Sequence, residues 1–108
     1  MVDGTLSVAR DFSRHTGPRY IKQGKWSGEE FRKVLLDRLK IYDKLLIDLD
    51  GTSGIGSSFL DEAFGGLIRS ENYNFKDLME RLKFKSDVDK SYIYDIISSM
   101  RDADHGRK

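Results

Sequence analysis

The run Leu45-Leu46-Ile47-Asp48-Leu49-Asp50 constrains this chain most, because a flexible loop and a helix start come directly after it. Gly51 to Gly56 is a glycine- and serine-rich loop, and Ser57-Ser58-Phe59-Leu60 opens an apolar stretch with helical spacing. A short apolar run bounded by turn residues reads as a strand. Lys44 to Leu49, with one acid inside it, has the pattern of a central strand covered on both faces. Strand, loop and helix start, in that order, aim free backbone N–H groups at whatever lies over the loop.

The flanking segments fit an α/β sandwich. Thr5 to Ala9 alternates as a short strand, Thr16-Gly17-Pro18 is turn chemistry, and Arg19 to Lys22 reads as a second, weaker strand. Ser27 with Glu30 forms a capping box ahead of Phe31, Val34, Leu35 and Leu39. Phe59, Leu60, Ala63, Phe64, Leu67 and Ile68 give a wide helical face, in which Gly65-Gly66 either permits close packing or ends the helix early. Phe75, Leu78, Met79 and Leu82 form another stripe, and Leu82 to Lys85 alternates like an edge strand guarded by lysines. Ser86 to Asp89 offers caps for a last helix carrying Tyr92, Ile93, Ile96, Ile97 and Met100; residues 101–108 read as a frayed polar tail. The expectation is one domain over residues 1–108. Its mixed sheet would have about four strands, its helices would number three to four, and helices would start near Ser27, Ser58 and Asp89.

Composition narrows the function. There is no cysteine, which removes disulfides, thiolate catalysis and Cys-ligated zinc, and fits a reducing cytoplasm. No apolar run approaches the roughly 20 residues that span a bilayer. The start Met1-Val2-Asp3-Gly4 lacks signal-peptide regions and the Met-Gly of myristoylation. Net charge is +1, from 19 basic and 18 acidic residues. The local excess of Arg10, Arg14, Arg19, Lys22 and Lys25 is diluted by Asp3 and Asp11 and reads as a solvated surface, so we expect neither a nucleic-acid nor a membrane partner. Arg19 is kept as a possible support for an anionic group. His15 and His105 lack ligand spacing, so no metal is expected.

The glycine loop admits three readings. Asp48-Leu49-Asp50-Gly51-Thr52 resembles the first motif of haloacid-dehalogenase-like phosphatases, in which paired carboxylates attack phosphate and help bind Mg²⁺. The later motifs of that family are missing, and the only similar downstream pair, Asp102 and Asp104, lies in the tail. Gly51-x4-Gly56-Ser57-Ser58 has the frame of a phosphate loop with Ser57 in place of the lysine. Leu46 to Gly51 followed by Gly54 to Leu60 looks like the core of STAS domains, the modules of anti-sigma-factor antagonists and sulfate-transporter tails. Ser57 falls on their phosphorylated serine, Gly56 replaces the usual Asp, and Phe59 replaces the usual Gly.

Asp11-Phe12-Ser13-Arg14, Gly17-Pro18-Arg19-Tyr20, Ser27 to Arg32, Gly56 to Leu67 and Lys83 to Ser86 together resemble the STAS-like family of unknown function. The resemblance implies a STAS-like fold and a bacterial-type cytoplasmic signalling module that binds a protein partner, often a histidine-kinase-like ATPase. It implies no known enzymatic activity and no cofactor. Gly56, Ser57, Ser58 and Phe59 become the candidate phosphorylation and partner surface, with Asp48, Asp50 and Arg19 in support. Blander roles stand beside these. Asp48 and Asp50 can cap loop amides, Ser58 with Asp61 can form a capping box, Trp26 can staple the next helix, and Phe59 and Tyr73 can be core.

Overall fold

The computed structural model describes residues 3–106; Met1-Val2, and Arg107 and Lys108 at the end of the tail, lie outside the described residues. At the centre is β2 (Lys44–Asp48), flanked by β1 (Asp3–Ser7) and β3 (Leu82–Lys85) in the order β1-β2-β3. Both pairings are parallel, with Leu6, Ile47 and Phe84 in one row and Thr5, Leu46 and Lys83 in the next. The sheet is therefore parallel and three-stranded among the described residues, and not mixed with about four strands. Direction arises from the connections: helices intervene between successive strands, and a crossover brings the next strand in parallel.

Parity decides which face is covered. Leu6, Leu45, Ile47 and Leu82 are buried against the helices. On the other face Asp3, Thr5, Lys44, Lys83 and Lys85 are exposed and Leu46 is half-buried. β2 is central, as its apolar run predicts, but it is covered on one face only. The polar alternation of β1 and β3 leaves the second face to solvent.

Arg19 to Lys22 forms no strand. Ile21–Gln23 is a 3₁₀ turn, and the backbone here pairs with the start of the next helix. Gly28 N–H donates to Pro18 O (2.9 Å) and Glu29 N–H to Arg19 O (3.0 Å). With Pro18 also lacking an N–H, no row of groups is left for a sheet. β1 likewise stops at Ser7, whose hydroxyl accepts from Arg10 N–H and opens α1 (Val8–Asp11) in place of the expected run to Ala9.

α2 (Gly28–Ile41) starts on the predicted capping box: Glu30 N–H donates to Ser27 Oγ (3.1 Å) and Ser27 N–H to Glu30 Oε1 (3.4 Å). α3 spans residues 57–69 without a break, from Ser57–Leu60 through a π turn at Asp61–Gly65 to Gly66–Arg69. All six residues of its predicted apolar face are buried. Gly65-Gly66 does not end the helix. A Cβ on Gly66 would collide with the Arg32 guanidinium, and one on Gly65 would lie 2.7 Å from Arg69 Nη1, so the pair makes room for two arginines.

α4 (Phe75–Arg81) is capped by Asn74 and runs directly into β3. α5 (Ser91–His105) begins beside Asp89, whose carboxylate accepts from the Ser91 amide and hydroxyl. It continues well into the expected tail. Ala103 extends the Ile96–Met100 stripe and is buried, and Asp104 accepts from Phe75 N–H. The segment through His105 is thus packed helix, held by Ala103 in the core and by the Asp104 bond to the start of α4, neither of which composition alone reveals. The helices meet over an aromatic core in which Phe31 lies 5.7 Å from Phe59 and 6.1 Å from Phe64, between ring centroids. None of the described helices is long and apolar enough to cross a membrane.

Candidate functional site

The loop from Asp48 to Ser58 is held from both sides. Asp48 Oδ1 accepts from Asp50 N–H at 3.0 Å, a local turn. The Asp50 carboxylate reaches across to the segment after β3. It accepts from Val88 N–H and Asp87 N–H, each at 3.0 Å, and from Lys85 Nζ at 2.9 Å. Those two amides, with Lys85 added, pull the Asp50 carboxyl down to about 2. Both strand-end acids are thus engaged in fastening loops, which is the capping role open to acids at a strand end. No group of three or more His, Asp or Glu side chains among the described residues is arranged to hold a metal ion.

Gly51 (φ 95°) and Gly54 (φ 146°) take left-handed backbone that side chains disfavour. Their turn brings Ser53 N–H to Arg14 O (2.8 Å) and Thr16 Oγ1 to Gly54 O (2.8 Å). From the other side the Tyr92 hydroxyl accepts from Ile55 N–H at 3.1 Å. His15 contacts the Ser53 hydroxyl. These ties make a firm mount for the start of α3.

Gly56 is the N-cap of α3, and Ser57 and Ser58 come next in its first turn, all three exposed. Neither serine hydroxyl makes a hydrogen bond among the described residues. The expected Ser58–Asp61 capping box is not formed, because Asp61 is drawn to two arginines instead. Phe59, named with the serines as a partner surface, is 1% exposed. It packs between Phe12 and Phe31 and anchors this end of α3 from within. Tyr73 packs half-buried against the core. Ser57 and Ser58 border an open hollow of about 230 Å³, with Arg19 and Asp61 on one side and Asp95 and Asp102 of α5 on the other.

Under this hollow lies an ion-pair cluster. Arg19 Nη1 donates to Asp61 Oδ2 (2.6 Å) and Glu62 Oε1 (3.3 Å). Arg32 Nη1 donates to Glu62 Oε2 (2.6 Å) and Arg32 Nε to Glu71 Oε2 (3.2 Å). Arg69 Nη2 reaches Asp61 Oδ2 at 3.2 Å. Arg19 is therefore matched within the chain. Burial opposes ionisation of Asp61, but the Arg19 and Arg69 guanidiniums outweigh it and hold its carboxyl below the usual range. The π turn contributes as well, since Arg32 Nη1 also donates to Glu62 O (2.8 Å) and Arg69 Nη2 to Asp61 O (3.0 Å). Single π turns recur at functional sites. Of the six charged residues only Arg19 stands out in the sequence as a site candidate. The signal that could have found the others is Gly65-Gly66, two absent side chains inside an otherwise apolar helix.

Residues 27–92 match the family described as a STAS-like domain of unknown function, which is more than half of the chain. The match takes in α2, β2, the serine loop, all of α3 and β3. No curated protein matches the chain, and no solved structure does. The three-stranded α/β sandwich with its serine loop at the head of α3 is a member of the STAS-like domain family of unknown function.

Proposed function

We propose that this chain is a non-enzymatic regulatory module that binds a protein partner through the Gly56-Ser57-Ser58 end of α3, with Ser57 as a charge-sensitive switch. One observation carries the reading: two adjacent serine hydroxyls stand exposed, with no hydrogen bond among the described residues, on a loop that glycine turns, Asp50 and Tyr92 hold in place. A side chain meant only to cap the helix would be bonded to its amides. The engagement of both Asp50 oxygens with amides and Lys85 supports the non-enzymatic reading over the phosphatase alternative.

A phosphate on Ser57 adds roughly −1.5 to −2 charges. The start of α3 tolerates anions, but the hollow beside it already holds Asp61, Asp95 and Asp102. The charge is thus turned outward, toward a partner surface shaped for a neutral hydroxyl. A histidine-kinase-like ATPase of the cytoplasm is the partner type that family resemblance suggests. The test is titration of Ser57→Ala and Ser57→Glu against the partner recovered from the native host by pull-down, with thermal melts as the folding control. Ser57→Ala should retain affinity, and Ser57→Glu should lose at least about tenfold, or roughly 1.4 kcal/mol. Equal affinities for wild type and Ser57→Glu would reduce Ser57 to a neighbour of the helix cap.

A further inference from the structure

β1 ends the sheet and leaves backbone groups free along its outer side. In a parallel ladder each residue turns its N–H and C=O to one side, and successive residues alternate. Leu49 N–H donates to Lys85 O, so Lys85 faces β2. Carried through the paired rows, that alternation turns Gly4 and Leu6 toward β2, and Asp3, Thr5 and Ser7 toward the outer edge. Ser7 N–H agrees with this sense, since it donates outside the ladder to Asp11 Oδ2 at 2.9 Å. The Asp11 carboxylate thereby closes the Ser7 end. Asp3 and Thr5 are both exposed, and their N–H and C=O groups pair with nothing among the described residues.

The opposite edge is protected. The outward residues of β3 are Leu82 and Phe84; Leu82 N–H is taken by Leu78 O, and Lys83 and Lys85 stand exposed beside them. Short edges flanked by lysine resist pairing. β1 carries no lysine, and Lys44 next to it is turned to Glu80 O on the far side. A shallow groove of about 360 Å³ runs from Asp3 and Thr5 over Leu46 to Lys83, so approach to this edge is open.

We infer that β1 pairs antiparallel with β1 of a second copy of this chain, about a two-fold axis at Gly4. In that register Asp3 of each copy stands opposite Thr5 of the other. Asp3 N–H donates to Thr5 O and Thr5 N–H to Asp3 O, on both sides of the axis, while Ser7 keeps Asp11. The free groups of the edge lie one step either side of Gly4, so two copies satisfy each other with none left over. The side chains match as well. Neither the Asp3 carboxylate nor the Thr5 hydroxyl is bonded among the described residues, and across the axis an acceptor meets a donor, a favourable cross-strand pair. At Gly4 the chains approach most closely, and no side chain crowds the axis. A contact this short makes a weak, exchanging dimer. It uses no part of the Ser57 loop and does not depend on Ser57 being a switch.

Sedimentation of the full chain from about 1 µM to 1 mM should show a monomer–dimer equilibrium. Thr5→Pro removes an N–H that bonds nothing within the chain and should weaken the dimer at least about tenfold. Far-UV circular dichroism checks its fold. Register is tested by thiols, because the chain has no cysteine. Residues directly opposite lie about 5.5 Å apart between Cα atoms, within disulfide reach, whereas like positions across the axis are too distant. Mild oxidation should therefore cross-link a mixture of Asp3→Cys and Thr5→Cys chains, and neither variant alone. The cysteine mixture decides the matter if Thr5→Pro fails to fold. A wild type that stays monomeric throughout, a folded Thr5→Pro that associates as wild type does, single variants that cross-link as readily as the mixture, or species growing beyond the dimer would overturn the inference.

Discussion

Replacing Arg32 by leucine isolates the cluster beneath the serine loop. Arg32 and Glu62 are 9% and 8% exposed and 2.6 Å apart, and the same guanidinium holds the π-turn carbonyl of Glu62. Breaking a buried pair by removing one partner costs about 3–5 kcal/mol, because the other charge is left behind. Glu62 keeps Arg19 at 3.3 Å, which favours the lower end of that range. The lost bond to the carbonyl adds about 1 kcal/mol. The expected loss is therefore about 3–4 kcal/mol, or roughly 12–30 °C in Tm for a domain of this size. Urea unfolding followed by circular dichroism at pH 7 measures it. The partner experiment is the double variant Arg32→Leu/Glu62→Leu. Removing both charges also removes the stranded carboxylate, so the double variant should be more stable than Arg32→Leu alone, with a coupling of about 1–3 kcal/mol. A single-variant loss below about 1 kcal/mol, or strictly additive losses, would refute the account of the cluster as mutually dependent charges.

The same geometry sets two further outcomes. Because the Asp50 carboxyl is depressed to about 2 in the folded chain, its stabilisation is complete above the ordinary carboxylate range and is lost as pH falls toward about 2. Thermal melts from pH 6 to 2 should show Asp50→Asn less stable than wild type near neutrality and the gap closing over the acid limb; a gap independent of pH would argue against the clamp. Gly65→Ala and Gly66→Ala should differ although both raise helix propensity by about 1 kcal/mol. At Gly65 the methyl meets the exposed Arg69 side chain, which can move aside, while at Gly66 it meets pinned Arg32. Denaturation midpoints should rise or hold for the first and fall for the second, and the reverse order would overturn the reading of the glycine pair.

Local chemistry carried much of this fold. The Ser27 capping box, the buried face of α3, the centrality of β2 and the local turn closed by Asp48 all rest on residues within a few positions of one another or on a single apolar stripe. What needed the tertiary structure depends on partners far apart in the chain. Strand direction was set by the helical crossovers, which no strand's own residues encode. Arg19 to Lys22 has strand-like residues, but the start of α2 takes the Arg19 carbonyl and a local turn takes those of Tyr20 and Ile21. Residues 101–105 look like a polar tail until Ala103 finds the core. The cluster of Arg19, Arg32 and Arg69 with Asp61, Glu62 and Glu71 joins positions up to 43 residues apart. Sequence announces the charges and the glycine gap, but only close approach in three dimensions decides which acid meets which arginine.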